Sequence, residues 1–202
     1  MSAVVDATTP SGRREAVSRA VETLVGGGTV ILPTDTVYGL AASPDDPQAV
    51  ARLFALKGRS ADVPVAVLCA GTAQALSLAD TVSSAAALLA ARHWPGSLTL
   101  VLPRRADLDW DLGEPAHTIG VRCPDHPIVA GIADRIGPIA TTSANRHGEP
   151  TPTRAEEAAS SLTAAVDLVI DGGELDGSAS TVVDATGTDV RLLRQGSVVV
   201  DS

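Results

Sequence analysis

Strands interleaved with helices along most of the chain predict an α/β layer structure, and a run of short strands at the C-terminal end predicts antiparallel pairs, hence a mixed parallel and antiparallel sheet flanked by helices. With 45% hydrophobic and 19% charged residues, 202 residues suffice for one sizeable core. No repeat, linker or shift of composition divides the sequence, so a single domain over 1–202 is expected.

In chain order, Val17, Ala20, Val21, Leu24 and Val25 recur at helical spacing and predict a helix over 11–25, stopped by Gly26, Gly27 and Gly28. Because these glycines lead into a strand at 29–32 and not into a helix, they are a turn and not a phosphate-cradling loop. Pro33 to Thr36 interrupts the strand, which resumes at 37–42. Asp45 or Asp46 caps a helix with Pro47 at its first position, ending at Lys57, Gly58 and Arg59. A strand at 64–69, helices at 72–78 and 81–93, and a strand at 97–102 follow, and 103–117 reads as a long loop, mobile or functional. The alternation then repeats: strand 118–122, helix 126–136, strand 138–142, loop 143–153, helix 154–162 and strand 166–170. Short strands at 181–185, 191–194 and 197–200 close the chain.

Composition narrows the function. The net charge of −9 works against adhesion to nucleic acid or anionic membranes, so any polyanionic ligand is small or held at a local basic site. Four aromatics, Tyr38, Phe54, Trp94 and Trp110, are too few for a platform that stacks single-stranded bases. No apolar stretch exceeds 85–91 and no signal segment opens the chain, so a soluble cytoplasmic protein is expected, with Cys69 and Cys123 as reduced core thiols. Lys57 is the only lysine among 15 cations: either codon bias left it, or a compact ammonium does something there that a planar guanidinium cannot.

Ligands of such sheets usually sit off strand ends, and polar clusters fall there at Thr34 to Thr36, Lys57 with Arg59, Arg122, Ser143 with Asn145, Ser180 with Thr181, and Arg194. Lys57 and Arg59 either cap their helix or approach phosphate oxygens. Ser143 and Asn145 either bind a ligand or close a local turn, and Arg122 pairs with Asp125 or with an anionic ligand. No Gly-x-Ser-x-Gly elbow occurs, and His93, His117, His126 and His147 have neither metal-ligand spacing nor a cysteine neighbour. Chemistry that needs positioning and charge neutralisation remains, with phosphoryl or nucleotidyl transfer the main example.

At these clusters the sequence resembles the YrdC-like threonylcarbamoyl-AMP synthases. The matching runs begin at Leu32 (LPTDTVYGL), Ala55 (ALKGR), Trp94 (WPGSLT), Val121 (VRCPDHP), Thr142 (TSAN) and Ser180 (STVVD). The resemblance implies a twisted mixed sheet with a large concave cavity, and an enzyme that converts L-threonine, bicarbonate and ATP, with Mg²⁺, to threonylcarbamoyl-AMP and pyrophosphate. The product would pass to a downstream tRNA threonylcarbamoyl transferase complex, and direct nucleic-acid binding would be weak or absent. By the same resemblance Thr36, Arg122, Ser143 and Ser180 hold threonine. Lys57, Arg59, Thr118, Asn145, Thr153 and Arg194 face the nucleotide, with Lys57 and Arg59 stabilising the leaving pyrophosphate.

Some members carry a further C-terminal domain; with Ser202 last, the single-domain form is expected. Where the family often shows a proline, a later asparagine and, in many members, a histidine on the next strand, this chain has Ser60, Val63 and Leu68, so no histidine contact to threonine is expected. Two competing readings are an RNA-binding or ribosome-maturation factor using the same basic cavity, and another carbamoyl-adenylate enzyme related to hydrogenase maturation.

Overall fold

The computed structural model describes residues 2–60 and 63–200. Its strands are β1 (Ala3–Asp6), β2 (Val30–Pro33), β3 (Tyr38–Ala42), β4 (Ala66–Leu68), β5 (Leu98–Pro103), β6 (Thr118–Arg122), β7 (Ile139–Ser143), β8 (Leu168–Asp171), β9 (Thr181–Asp184) and β10 (Arg191–Arg194). They form one sheet in the order β1-β8-β2-β3-β7-β4-β6-β5-β9-β10. It is mixed as expected: β1/β8, β2/β8, β4/β6 and β5/β9 are parallel, and the other neighbours antiparallel.

The helices are α1 (Pro10–Val25), α2 (Pro47–Lys57), α3 (Thr72–Leu76), α4 (Ser84–His93), α5 (Pro127–Ile136) and α6 (Ala155–Ser161). Their starts follow from capping chemistry. Thr9 accepts from the Gly12 N–H before α1, and Asp46 from Gln48 and Ala49 before α2, each with proline at the first helical position. Ser83 accepts from Ala86, so α4 begins later than the apolar pattern suggests.

Because side chains alternate across a strand, each face of the sheet has its own cover. On one face Ile31, Val67, Leu100, Val121 and Val183 pack against Leu53 and Phe54 of α2 and Ala86 and Ala90 of α4. On the other, Val30, Leu32, Leu168 and Ile170 pack against Ala16, Ala20 and Leu24 of α1 and Ile128 and Ile132 of α5. This second apolar cluster reaches Leu68 and Ile139 and goes no further across the sheet. Beyond them the same face carries Thr141 and Ser143 of β7, Ala66 of β4, Thr118, Gly120 and Arg122 of β6, and Thr99 and Val101 of β5, all lining a cavity.

Two strand expectations fail. β1 was not expected: it is an edge strand with only Val5 buried, too short for a periodic signal. Residues 197–200 form no strand, because the Thr181 hydroxyl takes the N–H groups of Gly196 and Val198 and donates to the Val198 carbonyl, occupying the groups a ladder would use. The 103–117 segment packs against the core through Leu108 and Trp110, and its Leu112 is a cavity wall whose carbonyl accepts from Val65. Cys69 and Cys123 are free and buried, and burial pushes both thiols up, Cys123 to about 12. No helix among the described residues is long and apolar enough to cross a membrane.

Candidate active site

The uncovered half of the sheet face forms a cavity of about 450 Å³. Of the expected residues Thr36, Arg59, Thr118, Arg122, Ser143, Ser180 and Arg194 line it, whereas Lys57, Asn145 and Thr153 do not. Three guanidinium groups thus share one wall system, and among the described residues no carboxylate lines it. In a chain of net charge −9 this is the local basic site that composition alone could not place.

Arg122 is 5% exposed and held in a fixed orientation. Its Nε donates to the Gly96 carbonyl at 3.0 Å, Nη1 to Thr36 Oγ1 at 2.9 Å, and Nη2 to Asp35 Oδ1 at 2.6 Å. The surface acid Asp125 is not its partner. Burial lowers its pKa, Asp35 opposes that, and neighbouring Arg194 adds to it. A guanidinium has five N–H donors, so two of Arg122's remain for a ligand.

Thr36 is positioned by the turn before it: Thr34 Oγ1 accepts from the N–H groups of Thr36 and Val37 and donates to the Val37 carbonyl. Arg194 donates through Nε and Nη2 to the Ser180 carbonyl at 3.1 and 2.9 Å and through Nη2 to Ser180 Oγ at 3.0 Å, and among the described residues Nη1 has no partner. A register shift in β10 lets consecutive residues Leu193 and Arg194 both face the cavity. Arg59 stacks 5.4 Å over the Phe54 ring and donates to the Pro64 carbonyl, while its buried Nε has no partner among the described residues. An orphaned buried donor beside a cationic cavity is a place for an anionic acceptor.

Lys57 and Arg59 part company at Gly58, which ends α2 at φ 61°, a left-handed conformation that glycine adopts without Cβ strain. Arg59 goes to the cavity; Lys57, 2% exposed, goes behind it. Lys57 Nζ donates to the Ser143 carbonyl at 2.5 Å, the Asn145 carbonyl at 2.6 Å and Asn145 Oδ1 at 3.0 Å. Burial, with the Arg59 charge adding, pushes its pKa down to about 8.

Four threonines to which the sequence assigns no role, Thr99, Thr141, Thr142 and Thr151, are also on the wall. A signal existed for two of them: Thr99 is the one hydroxyl residue in the apolar strand β5, and Thr141 stands at two-residue spacing from Ser143 on the same face of β7. Thr151 lines the cavity where Thr153 was expected to serve.

Fold and cavity together define an α/β protein with an arginine-bearing, hydroxyl-rich cavity on one half of its sheet. The chain matches the model of the Sua5, YciO and YrdC family, described as telomere recombination, over residues 22–196. A Mycobacterium tuberculosis (strain ATCC 25618 / H37Rv) protein, provisionally named as a threonylcarbamoyl-AMP synthase, is 39% identical over 199 residues, covering 98% of this chain and 92% of its own. Pyrococcus abyssi Sua5, solved in complex with L-threonine, superposes with a TM-score of 0.87 at 37% identity, over 97% of this chain and 57% of its own. Escherichia coli YciO superposes with a TM-score of 0.85 at 29% identity, over 98% and 97%. The chain belongs to the Sua5/YciO/YrdC family.

Proposed function

We propose that this chain is a threonylcarbamoyl-AMP synthase, a nucleotidyltransferase that makes threonylcarbamoyl-AMP and pyrophosphate from L-threonine, bicarbonate and ATP. The observation that carries the reading is the cavity wall of Arg59, Arg122 and Arg194, three guanidinium groups around a space with no lining carboxylate among the described residues. A triphosphate and an amino-acid carboxylate are what such donors recognise. The threonine amine attacks CO₂ derived from bicarbonate and, after losing a proton, is a carbamate. A carbamate oxygen then attacks the α-phosphorus in line, the bond to the bridging oxygen breaks, and pyrophosphate leaves with the electron pair.

Arg122 pins the threonine carboxylate with its two free donors, and Thr36, Ser143 and Ser180 fix the rest of the amino acid by hydroxyl contacts. Arg59 and Arg194 stabilise charge on the phosphates, and Thr118 lines the nucleotide end. The role expected of Thr153 passes to Thr151 on the wall.

Magnesium fits as a companion of ATP. Among the described residues no three His, Cys, Asp or Glu side chains gather for a metal, and Asp35 is ion-paired to Arg122. Magnesium commonly binds through substrate phosphates and keeps its waters, and when bound it neutralises phosphate charge. The product serves a downstream tRNA threonylcarbamoyl transferase in the cytoplasm.

The test is pyrophosphate release from ATP by the purified chain, with the adenylate identified by mass spectrometry. The reading requires release that depends on both threonine and bicarbonate, and release independent of threonine would overturn it.

A further inference from the structure

Lys57 differs from the three arginines in one respect: it has nothing left to give. An ammonium carries three hydrogens, and three protein acceptors stand at 2.5, 2.6 and 3.0 Å from Nζ. A fourth, Ser143 Oγ, lies at 3.4 Å. Asn145 is closed in the same way. Its Nδ2 donates to the Arg146 carbonyl at 2.9 Å and the Glu149 carbonyl at 2.6 Å, and its Oδ1 accepts from Lys57 and from Ser143 Oγ at 2.5 Å. Neither residue lines the cavity, whereas Ser143, which both of them hold, does.

We infer that Lys57 is a positioning residue that acts through the Ser143–Asn145 turn and makes no contact with the phosphates of the nucleotide. The assignment rests on the synthase reading and changes the role that sequence resemblance gave to Lys57 and Asn145. Two carbonyls and an amide oxygen converging on one buried point suit a compact tetrahedral donor, and a planar guanidinium fork cannot aim three N–H groups at them. This gives a physical reason for a lone lysine in a chain whose other cations are all arginine.

The cluster also sets the polarity of the site. With the Ser143 hydroxyl hydrogen directed to Asn145 Oδ1, the lone pairs of Ser143 Oγ are what the cavity meets. Ser143 is therefore an acceptor for a donor on the amino acid, its amine or its hydroxyl, and not a donor to phosphate.

Because Lys57 is the only lysine, lysine labelled with ¹⁵N at the side chain gives a single ammonium signal in the wild-type protein. The expected result is a slowly exchanging signal in the free chain that stays in place when pyrophosphate, AMP or ATP is added at saturating concentration. A signal that is absent without phosphate and appears or shifts with pyrophosphate overturns the assignment. A chain that takes up neither ATP nor pyrophosphate by calorimetry overturns the synthase reading itself, so the two failures are distinguishable.

The kinetic counterpart is Lys57→Met. As a positioning residue, its loss raises the threonine KM about 10-fold or more, while the ratio of ATP to AMP affinity stays within about twofold of wild type. A direct phosphate contact instead lowers that ratio, because AMP lacks the β- and γ-phosphates.

Discussion

Replacing Arg122 by methionine separates the two tasks of this side chain, because one falls on the fold and the other on the ligand. In the folded protein the change leaves the Asp35 carboxylate, whose side chain is 15% exposed, without its cation, and removes the donor from Thr36 Oγ1 and the Gly96 carbonyl. Breaking a buried ion pair by deleting one partner costs about 3–5 kcal/mol, a large part of the roughly 5–15 kcal/mol that holds a typical domain together. Arg122→Met with Asp35→Asn removes the stranded charge and recovers about half of that loss. The ligand effect does not recover. If the two free N–H donors hold the threonine carboxylate, losing a charged hydrogen bond of about 1.5–3 kcal/mol raises the threonine KM about 10- to 150-fold in the single and double variants alike. Stability is read from urea unfolding followed by Trp94 and Trp110 fluorescence, and KM from pyrophosphate release. A stable double variant whose threonine KM lies within about threefold of wild type would reduce Arg122 to a structural ion pair and refute the assignment.

Three further outcomes follow from the same geometry. A Cβ on Gly120 meets nothing closer than 3.7 Å, so Gly120→Val projects into the cavity; threonine-dependent turnover should drop about tenfold or more while the urea midpoint hardly moves. Tyr38→Phe deletes a buried hydroxyl that donates to the Gly173 carbonyl at 2.6 Å and accepts from Gly172 N–H at 3.1 Å; about 1–3 kcal/mol of stability should go, with faster hydrogen exchange at Gly172. His126, held below its ordinary 6.5 chiefly by burial, accepts from the Ile128 N–H at 3.4 Å through a neutral nitrogen. The unfolded chain therefore takes up this proton first. Its stability contribution is whole above the unfolded value and lost as pH falls through the folded one, so His126→Gln should show a shallower acid decline in urea midpoint than wild type.

Local chemistry made much of this molecule readable. The caps at Thr9, Asp46 and Ser83 and the glycine stops bound helices close to where side-chain spacing puts them, and the strands at 118–122 and 191–194 stand as expected. Order across the sheet is a matter of long-range pairing, and β1 joins β8 across most of the chain, which no local pattern reports. The site was legible to the same degree. Motifs brought seven of the ten expected residues to one cavity, while Lys57 and Arg59, neighbours at the end of α2, are parted by one left-handed glycine, Arg59 lining the cavity and Lys57 lying behind it. The threonines of the strands are weak signals in a sequence, because a buried hydroxyl on a strand is ordinary unless the sheet face there lacks a helical cover, as it does here among the described residues.

The measurement closest to the central claim is calorimetric titration of ATP with magnesium into the wild-type chain and into Arg59→Gln and Arg194→Gln. Uptake of one nucleotide per chain is predicted, weakened about 10-fold or more by each substitution and further by added salt, since each removes a charged contact to phosphate. ATP bound equally well by all three proteins, or by none, would contradict it.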